Sequence, residues 1–270
     1  MLNGLMLQTV FLKTLRDLRR PLLGWAAGLG LICLWMVTLF PTVAQASGFA
    51  ELLENMPDSL RALIGEASTL ETVEGYLSIE LFNFFLPALT IAFAVSFGSS
   101  LISHQEESGA LDLLLSNPVP RWRVFLAKFG ALVAFTLIVL ATCYVGMLIG
   151  GAMVDVALDA GRLLEGILTI FAITLFFGAL ALGLTGVKGS QGLAVGVSAG
   201  LAVITYFLYT LQPITDLPGW VRDISPWTYY AGDTVLIEGI NWGYFALLVG
   251  LAVAFVAIGM VVFERRDLGT

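Results

Sequence analysis

Charged positions in this chain are bunched, and the gaps between them are long. Six stretches carry no Asp, Glu, Lys or Arg: 21–50, 81–103, 129–154, 166–187, 189–215 and 239–263. Each is 22 to 30 residues long, and about 20 apolar residues suffice to cross ~30 Å of hydrocarbon as a helix. The pattern predicts spans near 22–44, 81–103, 126–150, 164–186, 190–211 and 243–263. The fourth and fifth are joined only by the short Thr185–Ser190 turn, which predicts an antiparallel helical hairpin. The windows are unbroken apolar runs rather than alternating ones, so a β-barrel is excluded. The expected fold is all-α: one polytopic membrane domain over 1–270, with six transmembrane helices.

Composition agrees. The 270 residues are 58% hydrophobic and 12% charged, against roughly 25% charged in soluble domains. That charge content excludes an ordinary soluble enzyme, and the apolar content excludes a disordered chain. Six spans put both termini on one side. That side holds ten basic and six acidic residues, a net +4; the other holds three basic and fourteen acidic, a net −11. Basic excess marks the cytoplasmic face, so both termini are expected in the cytoplasm and the chain in a cytoplasmic (inner or plasma) membrane. The overall charge of −7 is then a property of the outer loops and says nothing of basic partners; nucleic acid is not expected as one.

The first twenty residues lack the short apolar core and small-residue cleavage site of a signal peptide. Leu5, Leu12, Leu15 and Leu18 fall near one helical face instead, with Lys13, Arg16, Asp17 and Arg20 mostly elsewhere. This predicts an amphipathic helix lying on the cytoplasmic leaflet, with Pro21 opening the first span. Cys33 and Cys143 both lie inside predicted spans, where free cysteine behaves as a small hydrophobe. Much familiar chemistry is missing. His104 is the only histidine and sits at a span end, which leaves neither a zinc-protease motif nor a buried Ser–His pair. No span carries a charge near its middle, which disfavours a proton-coupled carrier. No Gly-x-x-x-x-Gly-Lys-Ser/Thr occurs, so the chain has no P-loop. The reading is a membrane domain that is not an enzyme and binds no cofactor of its own. Either it needs no energy, or another chain supplies it.

One cytoplasmic loop is informative. It runs from Ser103 through Glu106, Glu107, Ser108, Gly109, Leu111, Asp112, Leu114, Leu115, Asn117, Pro118 and Pro120 to Arg121, Arg123 and Lys128. Ser108 suits a helix cap, and Asn117-Pro118 ends the helix. Leu111, Leu114 and Leu115 share one face at i, i+3 and i+4. An exposed leucine face on so short a helix calls for a cover: membrane, another loop or a partner protein. Arg121, Arg123 and Lys128 are expected to hold the next span at the headgroups.

The series Glu-Glu-x-Gly-x-Leu-x-x-Leu-Leu-x-x-Pro-Val-x-Arg over 106–121 resembles the loop after the second span in ABC-2-type permeases. These are the membrane subunits of type V ABC exporters, with ABCG-like and NosY-like folds. The entry Leu12–Arg20 is similar to that family's N-terminal elbow helix, and Ile224-Ser225-Pro226-Trp227 to its Ser-Pro-aromatic outer loop. The resemblance implies a second permease copy, in a homodimer or a heterodimer, docked on two copies of an ABC ATPase subunit that holds ATP and Mg. It also implies a coupling helix between spans two and three, with Glu106, Glu107, Gly109, Leu111, Asp112, Leu114, Leu115, Pro118 and Arg121 at the ATPase contact. Leu15, Arg16, Arg19 and Arg20 of the elbow would add a second contact.

In similar exporters the second and fifth spans line the cargo pathway. On that basis Asn83, Tyr206 and Tyr209, near the outer ends of those spans, are pathway candidates; interfacial or structural polar residues are the alternative. Gly192, Gly196 and Gly200 form a stripe that permits close helix approach, either to the fourth span or to a partner copy. Loop 45–80 reads as two short amphipathic helices broken at Pro57. The aromatic-rich loop 212–242 reads either as short re-entrant helices forming an outer gate or as an interfacial belt. The function expected is export of an apolar or amphipathic cargo (a drug, an antibiotic or a lipid-like molecule), powered by a separate ATPase. The alternative is a non-transporting membrane scaffold or channel subunit.

Overall fold

A computed structural model describes residues 12, 14–44, 72–107, 120–215, 218–232 and 234–265. Among these residues there is no strand, and six helical stretches are long and apolar enough to cross a membrane. The first is α1, Arg19–Ala44. The second is composite: α2, Val73–Leu77, then a π-helical turn, Ser78–Phe82, then α3, Phe85–Glu107. The third is α4, Arg121–Met153, and the fourth α5, Ala160–Lys188. The fifth is α6, Gln191–Leu211. Three short helices follow: α7 (Trp220–Asp223), α8 (Pro226–Tyr230) and α9 (Val235–Glu238). The last span is α10, Trp242–Arg265.

The fourth span is the hub. Its most apolar stretch is 78% buried within the chain, against 17% for the fifth span and 22% for the sixth. α3, α4, α6 and α10 all pack on α5, while α1 packs chiefly on α4. Small residues set these crossings. A Cβ on Gly259 would lie 2.6 Å from the Gly183 Cα, so α10 and α5 touch through their backbones. A Cβ on Gly150 would lie 2.7 Å from the Leu34 carbonyl oxygen, which fixes α4 against α1. Such crossings suit a bilayer, where lipid tails are as apolar as leucine and packing rather than burial drives association.

The predicted hairpin is present. Asp159 caps α5 by accepting from the Gly161 and Arg162 N–H groups. Gly189, at φ +69°, ends it in the left-handed region that glycine adopts freely. Ser190 then caps α6, accepting from the Leu193 N–H. At the other end of α5, Glu165 accepts from Arg162 at 3.1 Å and from the Ile240 N–H at 3.2 Å, which ties the turn before α10 to the start of α5.

Two expectations need correction. Helix begins at Val73, not at 81, in the second span. Thr72 caps it, and Val73, Tyr76 and Leu77 are buried while Glu80 points outward. Glu80 closed the charge-free window although the helix runs through it. Lys128 does not extend outward as an exposed anchor. It is 2% exposed, and its ammonium donates to Thr14 Oγ1 at 2.8 Å, tying α4 to the residues before α1. Cys33 and Cys143 are fully buried free thiols facing each other between α1 and α4.

Candidate functional site

The backbone of the second span breaks register near its N-terminal end. Pro87 has no N–H to donate, and the π turn at Ser78–Phe82 lies just before it. The Asn83 N–H donates to the Ser78 carbonyl at 2.7 Å, an i to i−5 bond. Such turns leave carbonyls to be satisfied from elsewhere. The Phe82 carbonyl accepts from the buried Tyr230 hydroxyl at 2.6 Å.

Tyr230 belongs to α8, which folds back into the helix bundle. Pro226 occupies its first turn, where a missing N–H costs little, and Ser225 caps it. The same Ser225 hydroxyl donates to the Thr205 carbonyl at 2.9 Å. The Trp227 indole donates to the Ala202 carbonyl at 3.0 Å. α8 is thus held to the second span by one bond and to the fifth by two. Trp227 and Tyr230 are buried, while Trp220 and Trp242 are about 60% exposed. The aromatics of this region therefore divide between a buried plug and an exposed set.

Beneath this plug, α3 and α6 enclose a groove of about 140 Å³. Ala88, Ala92 and Val95 line it from α3 and Phe84 from just before that helix, Ala199, Ala202 and Val203 line it from α6, and Trp227 closes one end. Small alanines hold the walls apart, and none of these side chains is charged. The Phe84 ring lies 4.5 Å from that of Tyr206, and Tyr206 lies 4.9 Å from Trp227 in an edge-to-face contact. Phe84 is 45% exposed, so the groove opens sideways. Its chemistry is dispersion and ring contact, with one phenol at its rim.

The three pathway candidates separate. Tyr206 belongs to the aromatic cluster over the groove. Tyr209 lies one turn further out, with the Arg222 guanidinium 5.1 Å from its ring centre. Asn83 is half-buried beside the π turn and is not part of the lining. Sequence reasoning passed over Phe84, Ala88 and Ala92 as lining residues, although their spacing of four places them on one helical face. Ala199, Ala202, Val203 and Tyr206 form the matching face at i, i+3, i+4 and i+7.

The glycine stripe of the fifth span does not face the fourth. A Cβ on Gly192, Gly196 or Gly200 would meet nothing within 4 Å. Of the residues assigned to the ATPase contact, Glu106 and Glu107 end α3, and half-buried Arg121 opens α4. Gly109, Leu111, Asp112, Leu114, Leu115 and Pro118 lie outside the described residues, as does the 45–71 stretch expected to form two short helices. Of the elbow residues, Arg16, Arg19 and Arg20 are exposed and Leu15 is half-buried. Thr14–Asp17 is helical, and bonds from the Leu18 and Leu22 N–H groups carry the ladder into α1.

Six apolar helices, the fourth of them buried among the others, define a polytopic α-helical membrane protein. The family model for the C-terminal domain of the multidrug efflux system permease Rv1217c matches residues 7–264, and the chain belongs to that family. It is an integral membrane permease of an efflux transporter. No curated protein matches the chain.

Proposed function

We propose that the chain is the membrane subunit of an ATP-driven exporter of the ABC-2, type V class, and that apolar or amphipathic molecules move along its groove between the second and fifth spans. The observation that carries this reading is the groove itself: charge-free, aromatic-capped and open where Phe84 and Val203 are exposed. Cargo already dissolved in the membrane would enter without crossing a polar barrier. Family membership supports efflux as the direction. That the sequence carries no P-loop supports a separate chain as the holder of ATP and Mg.

In this reading the loop from Glu106 to Arg121 docks on the ATPase. Leu111, Leu114 and Leu115 fill an apolar groove there, and Glu106, Glu107 and Asp112 meet basic groups. The termini and this loop lie in the cytoplasm, on the basic side of the molecule. The open Gly192–Gly196–Gly200 face supports a second permease copy packed against α6. The first end of each elbow helix, with Arg16, Arg19 and Arg20, reaches the same cytoplasmic side.

The test is dye efflux in cells lacking their own pumps, using a panel of apolar and amphipathic fluorescent dyes. Filling the groove with Ala92→Trp or Ala199→Trp should raise dye accumulation to the level of cells without the permease. Leu137→Trp, on an exposed face of α4, should leave efflux intact and control for folding and insertion. Full efflux by both groove-filled variants would exclude the groove as the route.

A further inference from the structure

A second groove lies along α1, at the basic end of the first span. Pro21, Gly24, Gly28 and Ile32 run along its α1 side, with Trp25 and Leu89 as walls. Its volume is about 410 Å³. A Cβ on Gly24 or Gly28 would meet nothing within 4 Å, so both glycines leave the groove open. Trp25 is fixed edge-on against Phe93, with ring centres 5.7 Å apart, so this wall is a packed one.

Two features select the occupant. The first is length. Pro21 to Ile32 spans eleven helical steps, about 16 Å at 1.5 Å per residue. That is about half of the ~30 Å hydrocarbon thickness, the depth of one acyl chain. The second is charge. Arg20 lies one helical turn before Gly24, and Arg16 one turn before Arg20, in helix whose side chains tilt toward its N-terminus. Arg16, Arg19 and Arg20 are all exposed, and with exposed Asp17 they leave a net +2 at the mouth of the groove. An apolar slot one leaflet deep, with guanidinium groups at its wet end, matches a lipid whose headgroup carries a phosphate and a net negative charge.

We propose that this groove is a binding site for an anionic glycerophospholipid, one acyl chain lying along Gly24 and Gly28 and the phosphate held by Arg16 and Arg20. The site concerns the leaflet on the basic side of the molecule. It stands whether or not the groove between the second and fifth spans carries cargo.

The experiment uses the purified full-length chain in detergent micelles, with phosphatidylglycerol or phosphatidylcholine of identical acyl chains added. Retained lipid is counted by native mass spectrometry, and the thermal midpoint is read in parallel. Phosphatidylglycerol should be retained preferentially and should raise the midpoint more. The double variant Arg16→Gln/Arg20→Gln should erase the preference, by about fivefold for each arginine removed. Gly28→Leu should abolish retention of both lipids while leaving the lipid-free midpoint unchanged, because its side chain enters open space. Equal retention of the two lipids by the parent chain would overturn the proposal. So would undiminished phosphatidylglycerol binding by Gly28→Leu. Conversion of a dimer to a monomer by Gly28→Leu, seen by light scattering, would assign the groove to a second copy and overturn it as well.

Discussion

Replacing Tyr230 with phenylalanine isolates the bond that holds α8 to the kinked second span. The change deletes one hydroxyl. The ring, its edge-to-face contact with Trp227 at 5.8 Å and the surrounding packing remain. What is lost is the donor to the Phe82 carbonyl, a 2.6 Å bond in a buried setting. Interhelical hydrogen bonds in membrane proteins average about 0.6 kcal/mol and reach about 1.7. Leaving a buried carbonyl unpaired costs about 1–3 kcal/mol. The Phe82 carbonyl sits at a π turn with no regular helical partner restored by the mutation, so the upper part of the first range applies. The expected loss is about 1.4 kcal/mol, near a tenfold fall in the folded-to-unfolded ratio. Tyr230→Ala adds a cavity and should cost about 3–5 kcal/mol. Both can be read by titrating the purified chain in mixed micelles with SDS and following tryptophan fluorescence, to which Trp227 next to the site contributes. A Tyr230→Phe midpoint equal to the parent's would refute the role given to the hydroxyl. A loss as large as that of Tyr230→Ala would refute the reasoning that ring packing carries most of the cost.

Three further outcomes are expected. Gly259→Ala places a methyl group against the Gly183 Cα, and should destabilise the chain by about 1–3 kcal/mol in the same titration, through forced separation of α5 and α10. Gly196→Leu meets open space within the chain. It should leave that titration unchanged but weaken self-association measured by single-molecule photobleaching in liposomes; unaltered self-association would remove the glycine face from the proposed dimer contact. Leu114→Glu should leave the six spans inserted, yet uncouple ATP hydrolysis from dye efflux in the reconstituted complex. Unchanged cargo-stimulated ATPase activity in that variant would count against the assignment of the loop.

The spans were legible because each charge-free window is long enough to cross a bilayer and few alternatives fit such lengths. The second span was cut short because one charge, Glu80, was treated as a boundary. A helix can carry an exposed carboxylate on one face while Val73, Tyr76 and Leu77 pack on another. Lys128 looked like a headgroup anchor because it follows Arg121 and Arg123 in the sequence. The approach of Thr14, from a segment over a hundred residues away, helps to bury it. The glycine repeat of the fifth span was visible, but periodicity names a face and not its neighbour. The candidate groove was half legible. Tyr206 was singled out by polarity, and the Phe84–Ala88–Ala92 stripe was present in the spacing. Their union under Trp227 depends on α8 returning into the bundle, a long-range event that local pattern does not encode. Asn83 is a candidate through its place near the end of the second span; it follows the π turn directly and lies beside the groove rather than in it.

The central claim is that this permease works on energy from a separate ATPase. It is tested most directly by purifying the tagged chain from its native membrane in mild detergent and identifying every co-purifying protein by mass spectrometry. The account predicts a P-loop ATPase at close to one copy per permease chain. Recovery of the chain associated only with itself, under conditions that keep such complexes intact, would contradict it.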